Sequence, residues 1–223
     1  MAFDEEDSIG SVLRSTRDYL TERFDDWEVI VVDDGSRDKT GSIVEQYSND
    51  DSRIRLLVHE TNQGMGKAIQ TGYLAARKDL VTQLPADGQV QATTLELFLG
   101  YFPDVDIVLS VYDRRGDGPV RTLLSNGYNL LGRILFNQRC DYTGTMVFKR
   151  RLIDEYQITS GTFLANLEFP LRILEGGHAH ELVTFRPVAR IAGASKVAKP
   201  GRILRVAKEM IKMRLRWNSG MTP

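Results

Sequence analysis

Four short runs of apolar, mostly β-branched residues mark the first half of the chain: Glu28 to Val32, Ile54 to Val58, Leu80 to Leu84 and Asp106 to Val111. Each is continuous rather than alternating, as strands covered on both faces are. Between them apolar residues return at helical spacing over Ser8 to Phe24, Lys39 to Tyr47, Gly66 to Arg77 and Thr93 to Phe102. Strands alternating with helices predict an α/β domain with a mostly parallel central sheet and helices on both faces. Ligands of such sheets bind beyond the carboxyl ends of the strands, so the residues after each run are the ones to inspect.

Those residues are chemically rich. Asp33-Asp34-Gly35-Ser36-Arg37-Asp38-Lys39-Thr40 follows the first run, and Asn62-Gln63-Gly64-Met65-Gly66-Lys67 follows the second. Two glycines there allow close backbone approach, and the helix start behind them offers free N–H groups to an anion. Asp87-Gly88-Gln89 follows the third run. Singly, each reads as a helix cap, a helix start or a turn. Their recurrence at three successive strand ends points to one site. A further strand is expected over Ala179 to Val183; His178 and His180 alternate there, and with no further ligands to place beside them a structural or surface role is favoured over a metal pair.

Composition narrows the class. With 223 residues, 42% hydrophobic and 26% charged, the chain suits one globular core. The single Cys140 cannot pair within the chain, which favours a reducing compartment and a cytoplasmic setting. No apolar run is long enough to cross a bilayer, and no basic-then-apolar leader opens the chain. The net charge of -1 hides an asymmetry: residues 1–60 carry 16 Asp/Glu against 7 Lys/Arg, whereas residues 186–217 carry 10 Lys/Arg against Glu209 alone. An anionic partner at the C-terminal end is expected. Gly201 to Trp217 forms an amphipathic helical pattern, with Ile203, Val206, Ala207, Met210, Met213 and Trp217 on one face and Arg202, Arg205, Lys208, Lys212 and Arg216 largely opposite. Such a helix either lies on an anionic membrane surface or packs on the sheet with its charges in water. The expected division is a catalytic domain over 1–200 and this basic helix and tail over 201–223.

The ordered blocks EVIVVDDGSRDKT (28–40), NQGMGKAIQTGYLAA (62–76), ADGQ (86–89), DYTGTMVFKR (141–150) and RIAGASK (190–196) together resemble the inverting glycosyltransferases of family two, and within them the dolichyl- or polyprenyl-phosphate sugar synthases. The resemblance implies a GT-A-like fold and a sugar transfer from a nucleoside-diphosphate sugar to a polyprenyl phosphate or another membrane-linked acceptor. It places Ala2, Phe3, Glu5, Val32, Asp34, Ala86, Ser195 and Lys196 at the nucleotide sugar, leaving Asp33 to brace its turn. It makes Asp87 and Gln89 the ligands of Mg²⁺ or Mn²⁺, whose preference for hard oxygen donors suits a diphosphate. Arg190, with Ser195 and Lys196, would hold the leaving diphosphate, where charge develops in the transition state. Asp141 lies near the acceptor in this reading, as catalytic base or as orienting group; a lipid phosphate is already anionic and requires no strong base. Glu168 is a second candidate carboxylate, or a structural helix residue.

Two features depart from the family pattern. Pro85 stands where the first acid of a D-x-D would be, leaving Asp87 as the retained carboxylate. A metal site that forms mainly with the nucleotide bound is therefore expected. The first family strand is missing at the N-terminus, because Met1-Ala2-Phe3-Asp4-Glu5-Glu6 opens where that strand would end; the expectation is a start placed too late or a truncated chain. The rival readings are transfer to a saccharide hydroxyl, and a catalytically weak module that binds nucleotide sugars or membranes. No strand leads into G-x-G-x-x-G, which disfavours an oxidoreductase, and nothing supplies base readout for a nucleic acid.

Overall fold

The computed structural model describes residues 1–113, 119–138, 142–188 and 200–218. The four expected strands are present as β1 (Val29–Asp33), β2 (Ile54–Val58), β3 (Leu80–Thr82) and β4 (Ile107–Tyr112). The helices between them are α1 (Ile9–Arg23), α2 (Thr40–Asp50) and α3 (Met65–Ala75), then a 3-10 turn (Ala92–Leu95) running into the short α4 (Glu96–Leu99). The second half adds α5 (Pro119–Phe136), β5 (Val147–Lys149), α6 (Arg151–Glu155), α7 (Ala165–Glu175), β6 (His180–Phe185) and α8 (Pro200–Asn218).

The strands fall into two sheets, β1-β2 and β3-β5-β4-β6. β1 pairs with β2 and β4 with β6 in parallel, whereas β5 runs antiparallel to both its neighbours, β3 and β4. The arrangement is thus mixed where the run of apolar strands alone predicted mostly parallel pairing. β5 is the reason: it spans three residues inside a segment read as a motif, too short for periodicity to reveal. Because β3, β4 and β6 all oppose or accompany β5 in this way, their carboxyl ends share one side of the sheet.

The core divides along the same line. Ala2, Ile9, Leu13, Trp27, Val31, Val44, Ile54 and Ala86 form one buried cluster around β1. Ile69, Tyr73, Ile107, Leu109, Phe148, Phe169 and Ile173 form another, centred on β4, β5 and α7. Between β1 and β3 no ladder is formed, although Ala2 makes a single parallel bridge to Asp33 on the edge of β1 away from β2. β1 and β3 therefore belong to separate sheets.

Over its described side chains, the apolar face of the C-terminal helix packs on the protein. Met210 and Met213 are buried against Leu164, Leu167 and Leu171, and Trp217 packs on Phe136 with ring centroids 5.8 Å apart. Among the described side chains of α8, the large exposed apolar residues are Ile211 and Leu215, beside exposed Lys208 and Lys212. No helix among the described residues is long and apolar enough to cross a membrane.

Candidate active site

The loop after β1 is fixed from within. Asp33 Oδ1 accepts the Ser36 N–H at 3.0 Å and its hydroxyl at 2.5 Å, the bracing role read from the sequence. Gly35 takes a left-handed φ of 74°, and a Cβ there would lie 2.7 Å from the Asn62 nitrogen, so only glycine lets this loop pass the next one. The 4–6 segment is laced to the same loop: Asp4 N–H donates to Ser36 Oγ, Glu5 N–H to Thr40 Oγ1 and Glu6 N–H to Asp38 Oδ2, while Asp4 Oδ1 and Glu6 Oε2 accept the Arg37 and Lys39 N–H groups. Hydrogen bonds from Thr40 and Glu6 outweigh the opposing effect of burial and lower the Asp38 pKa. Glu5 accepts the Ser8 hydroxyl at 3.0 Å, which ties it to the start of α1.

Asp34 is 4% exposed and its carboxylate is gripped by the β2–α3 loop. The Gln63 and Gly64 N–H groups donate to its two oxygens at 2.9 and 2.8 Å, and His59 Nδ1 lies 2.6 Å from Oδ1. The far nitrogen of His59 lies 3.0 Å from Thr71 Oγ1 on α3. A carboxylate offers about four lone-pair directions, so these three partners leave room for one more donor. His59 went unnoticed in the sequence; its position directly after β2, the strand beside β1, is the only signal that could have found it.

The glycines at the start of α3 have a different use from the one expected. The Gly66 N–H donates to Gly161 O at 3.2 Å, and the Lys67 and Ala68 N–H groups both donate to Gly64 O, so these donors are not free for an anion. A Cβ at Gly66 would lie 2.3 Å from Ser160 O. The glycine pair therefore serves the contact with the 159–162 loop. That loop is held in turn by Glu168, fully buried, which accepts from Thr159 N, Thr159 Oγ1, Ser160 N and Arg172 Nε at 2.7 to 3.2 Å. The structural reading of Glu168 fits these contacts.

After β3, Gln83 joins three segments: its amide donates to Gly144 O and, at 2.6 Å, to Asn166 Oδ1, while Tyr73 donates to it at 3.1 Å. The Thr143–Thr145 turn is locked onto β4 through Ser110, whose carbonyl accepts the Thr143 N–H at 2.8 Å. Asp87 is 8% exposed and its Oδ1 accepts the Gln89 N–H at 3.0 Å, closing a tight turn in which Gly88 has φ 73°. The Gln89 carbonyl accepts the Val188 N–H at 3.0 Å, which brings the segment after β6 to the site.

Ala2 and Ala86 share one buried cluster, Val32 O accepts the Ala2 N–H at 2.8 Å, and Asp34 N–H donates to Ala2 O at 2.9 Å. The structure thus brings Ala2, Val32, Asp34 and Ala86 together next to Asp87; Phe3 and Glu5 lie on the adjoining turn. Asp141, Arg190, Ser195 and Lys196 lie outside the described residues. No group of three His, Cys, Asp or Glu residues able to hold a metal occurs among the described residues. An Asp87 carboxylate with a neighbouring amide oxygen fits a hard cation that takes its remaining ligands from phosphate and water. His178 is committed elsewhere: Nδ1 lies 3.2 Å from Asp106 Oδ2, and Nε2 lies 3.0 Å from the Tyr156 hydroxyl.

This architecture, with acidic loops at the carboxyl ends of β1 and β3, defines a GT-A-like glycosyltransferase fold. Glucosyl-3-phosphoglycerate synthase from Mycobacterium tuberculosis, crystallised with Mn²⁺, UDP-glucose and phosphoglyceric acid, shares it at a TM-score of 0.68 and 21% identity, over 96% of this chain and 77% of that one. The family model for glycosyl transferase family 2 matches residues 1–157, and the chain belongs to that family. A dolichyl-phosphate beta-glucosyltransferase of Trichomonas vaginalis is 38% identical over 101 residues, 43% of this chain and 31% of that protein. An undecaprenyl-phosphate 4-deoxy-4-formamido-L-arabinose transferase of Pseudomonas fluorescens is 31% identical over 134 residues, 57% of this chain and 38% of that protein. The matched region thus spans about a third of these curated relatives.

Proposed function

We propose that the protein transfers a sugar, with inversion, from a nucleoside-diphosphate sugar to a polyprenyl phosphate at a membrane face. The likeness to transferases named for two different polyprenyl phosphates carries this reading. The nucleoside would lie against Ala2, Val32 and Ala86, with the remaining acceptor direction of Asp34 toward a base N–H or ribose hydroxyl. Asp87 and Gln89 would hold Mg²⁺ or Mn²⁺, which when bound neutralises charge on the departing diphosphate. Arg190, Ser195 and Lys196 would bind the same group, stabilising its charge as the bond to the sugar breaks. The acceptor phosphate needs no strong base, so Asp141 orients the reacting groups. Lys208, Lys212, Ile211 and Leu215 on the outer side of α8 would meet the anionic lipid surface.

The test is turnover of a panel of nucleotide sugars with a polyprenyl phosphate in detergent or vesicles. A glycosyl polyprenyl phosphate of inverted anomeric configuration is expected. Transfer to saccharide hydroxyls alone would overturn the acceptor, and absence of turnover with any acceptor would overturn the enzyme reading.

A further inference from the structure

Gln83 and Asn166 fix each other's orientation. The Gly144 carbonyl can only accept, so the end of the Gln83 side chain that faces it is the nitrogen. That nitrogen lies 2.6 Å from the Asn166 amide, so the atom it meets there is the oxygen, Oδ1. Gln83 Oε1 is left to accept from the Tyr73 hydroxyl at 3.1 Å, and burial pushes the Tyr73 pKa up, so this donor keeps its proton. The Asn166 nitrogen therefore lies on the side of the planar amide away from this chain of bonds. Its contact is Met65 Sδ at 3.8 Å, and a thioether is a weak acceptor. At least one of its two N–H groups has no partner among the described residues.

Asn166 is half-buried in the first turn of α7, where three strand-end segments meet. Met65 follows Gly64, whose N–H grips Asp34; Gln83 follows β3 and leads to Asp87; Gly144 belongs to the turn locked onto β4. A Cβ at Gly144 would lie 2.8 Å from Asn166 Nδ2, so this glycine leaves one side of the amide nitrogen uncovered. Gln83, Asn166, Tyr73 and Met65 carry no ionised group, which suits a neutral hydroxylated ligand better than a phosphate. Exposed Met65 adds apolar surface for ring carbons, and a few placed polar groups against apolar surface are how small-ligand sites set orientation.

We propose that Asn166 donates a hydrogen bond to one hydroxyl of the donor sugar and so selects which sugar is transferred. This role presupposes the nucleotide-sugar donor proposed above, in which the sugar is joined to the diphosphate held beside Asp87. The hydroxyl oxygen accepts from Asn166 Nδ2, while Gln83 keeps the amide from turning over. Gln83 is thus a positioning residue and Asn166 a specificity-determining one. A sugar that lacks this hydroxyl leaves the amide N–H without its partner and is disfavoured.

The test compares the unmodified chain with Asn166→Asp, which keeps an oxygen for Gln83 to donate to and replaces the N–H donors by a second acceptor. Both forms are assayed with the preferred nucleotide sugar and its single-deoxy derivatives, and titrated with the nucleoside diphosphate alone. In the unmodified chain, one deoxy derivative is expected to lose about tenfold in kcat/KM. Asn166→Asp should lose as much with the full sugar, mainly through a higher KM, and little more with that derivative. Its Kd for the nucleoside diphosphate should stay within about twofold of the original. Gln83→Glu, which removes the N–H that holds Asn166 Oδ1 and lets the amide turn over, should give the same pattern and serves where Asn166→Asp fails to fold. Equal penalties at every deoxy position in both forms, or an equal loss of affinity for the nucleoside diphosphate alone, would overturn the role of Asn166. A change confined to the KM of the acceptor would overturn it in favour of an acceptor contact. Failure of the unmodified chain to bind any nucleoside diphosphate would overturn the donor reading itself, and this role with it.

Discussion

His59 Nδ1 lies 2.6 Å from Asp34 Oδ1, with both side chains almost wholly buried. This contact links the end of β2 to the acidic loop of β1 and helps fix the Asp34 carboxylate in place. His59→Ala leaves a buried carboxylate short of one partner, which should cost about 1–3 kcal/mol of stability and raise the Kd for a nucleoside diphosphate on the order of tenfold. Thr71→Val should do less, because it removes only the outer partner of His59. Chemical denaturation and calorimetric titration of the nucleotide check both.

Asp87→Ala should lower turnover by on the order of a hundredfold or more, as loss of a group that stabilises developing charge does. Metal titrated calorimetrically into the nucleotide-free protein should bind weakly, and tightly once a nucleoside diphosphate is present. Equal metal affinity in both states would contradict the single-carboxylate site.

At Gly66 the tolerance is steric rather than chemical. A Cβ would lie 2.3 Å from Ser160 O and 2.4 Å from the Gly161 carbonyl carbon, both backbone atoms. Gly66→Ala should destabilise the fold by about 1–3 kcal/mol through forced backbone movement, read as a lower urea midpoint. Gly100, with open space around it, is the control: Gly100→Ala should leave the midpoint nearly unchanged.

Asp106 gives a pH signature. Burial opposes ionisation, but hydrogen bonds from Lys149, His178 and Arg151 hold its carboxyl well below the usual 3.8. The folded pKa is depressed, so its contribution is present above pH 3.8 and is lost as pH falls below that value toward the folded pKa. Asp106→Asn should flatten the fall of stability across that acid range and lower stability at neutral pH, measured by denaturation at a series of pH values.

Exposed Lys208 and Lys212 should govern attachment to lipid. Replacing both by Glu should weaken co-sedimentation with vesicles containing anionic phospholipid by roughly tenfold or more, at about 1 kcal/mol for each lost cation plus repulsion from the new acid. Neutral vesicles should bind neither form, and denaturation curves of the two forms should coincide.

The strands β1 to β4 and the first three helices were legible because their apolar runs are continuous and their helical spacing is regular. β5 and α5 were not. β5 is three residues long, and α5 begins with a proline at its first position, a start signal that the surrounding charged and glycine-rich segment conceals. The site was legible as acids and glycines at strand ends, because backbone turns demand those residue types locally. Their partners were not: His59 meets Asp34 across 25 positions, and Gly66 meets Ser160 and Gly161 from another part of the fold. Glycines that read as an anion cradle prove to serve loop packing, because a close approach to any backbone leaves the same trace in sequence. On α8 the amphipathic pattern was correct, but the pattern alone does not distinguish a protein neighbour from a lipid one, and Met210 and Met213 take the protein.

Under the proposed reading, the division between the two sheets would give the nucleotide a second role. Val32 and Asp34 belong to the β1-β2 half, and Asp87 follows β3 in the other half. A nucleotide that engaged all three, as proposed, would add a tie across the two sheets, and part of its binding free energy would go into making them unfold together. Donor binding and the cooperativity of the whole fold would then be one linked property.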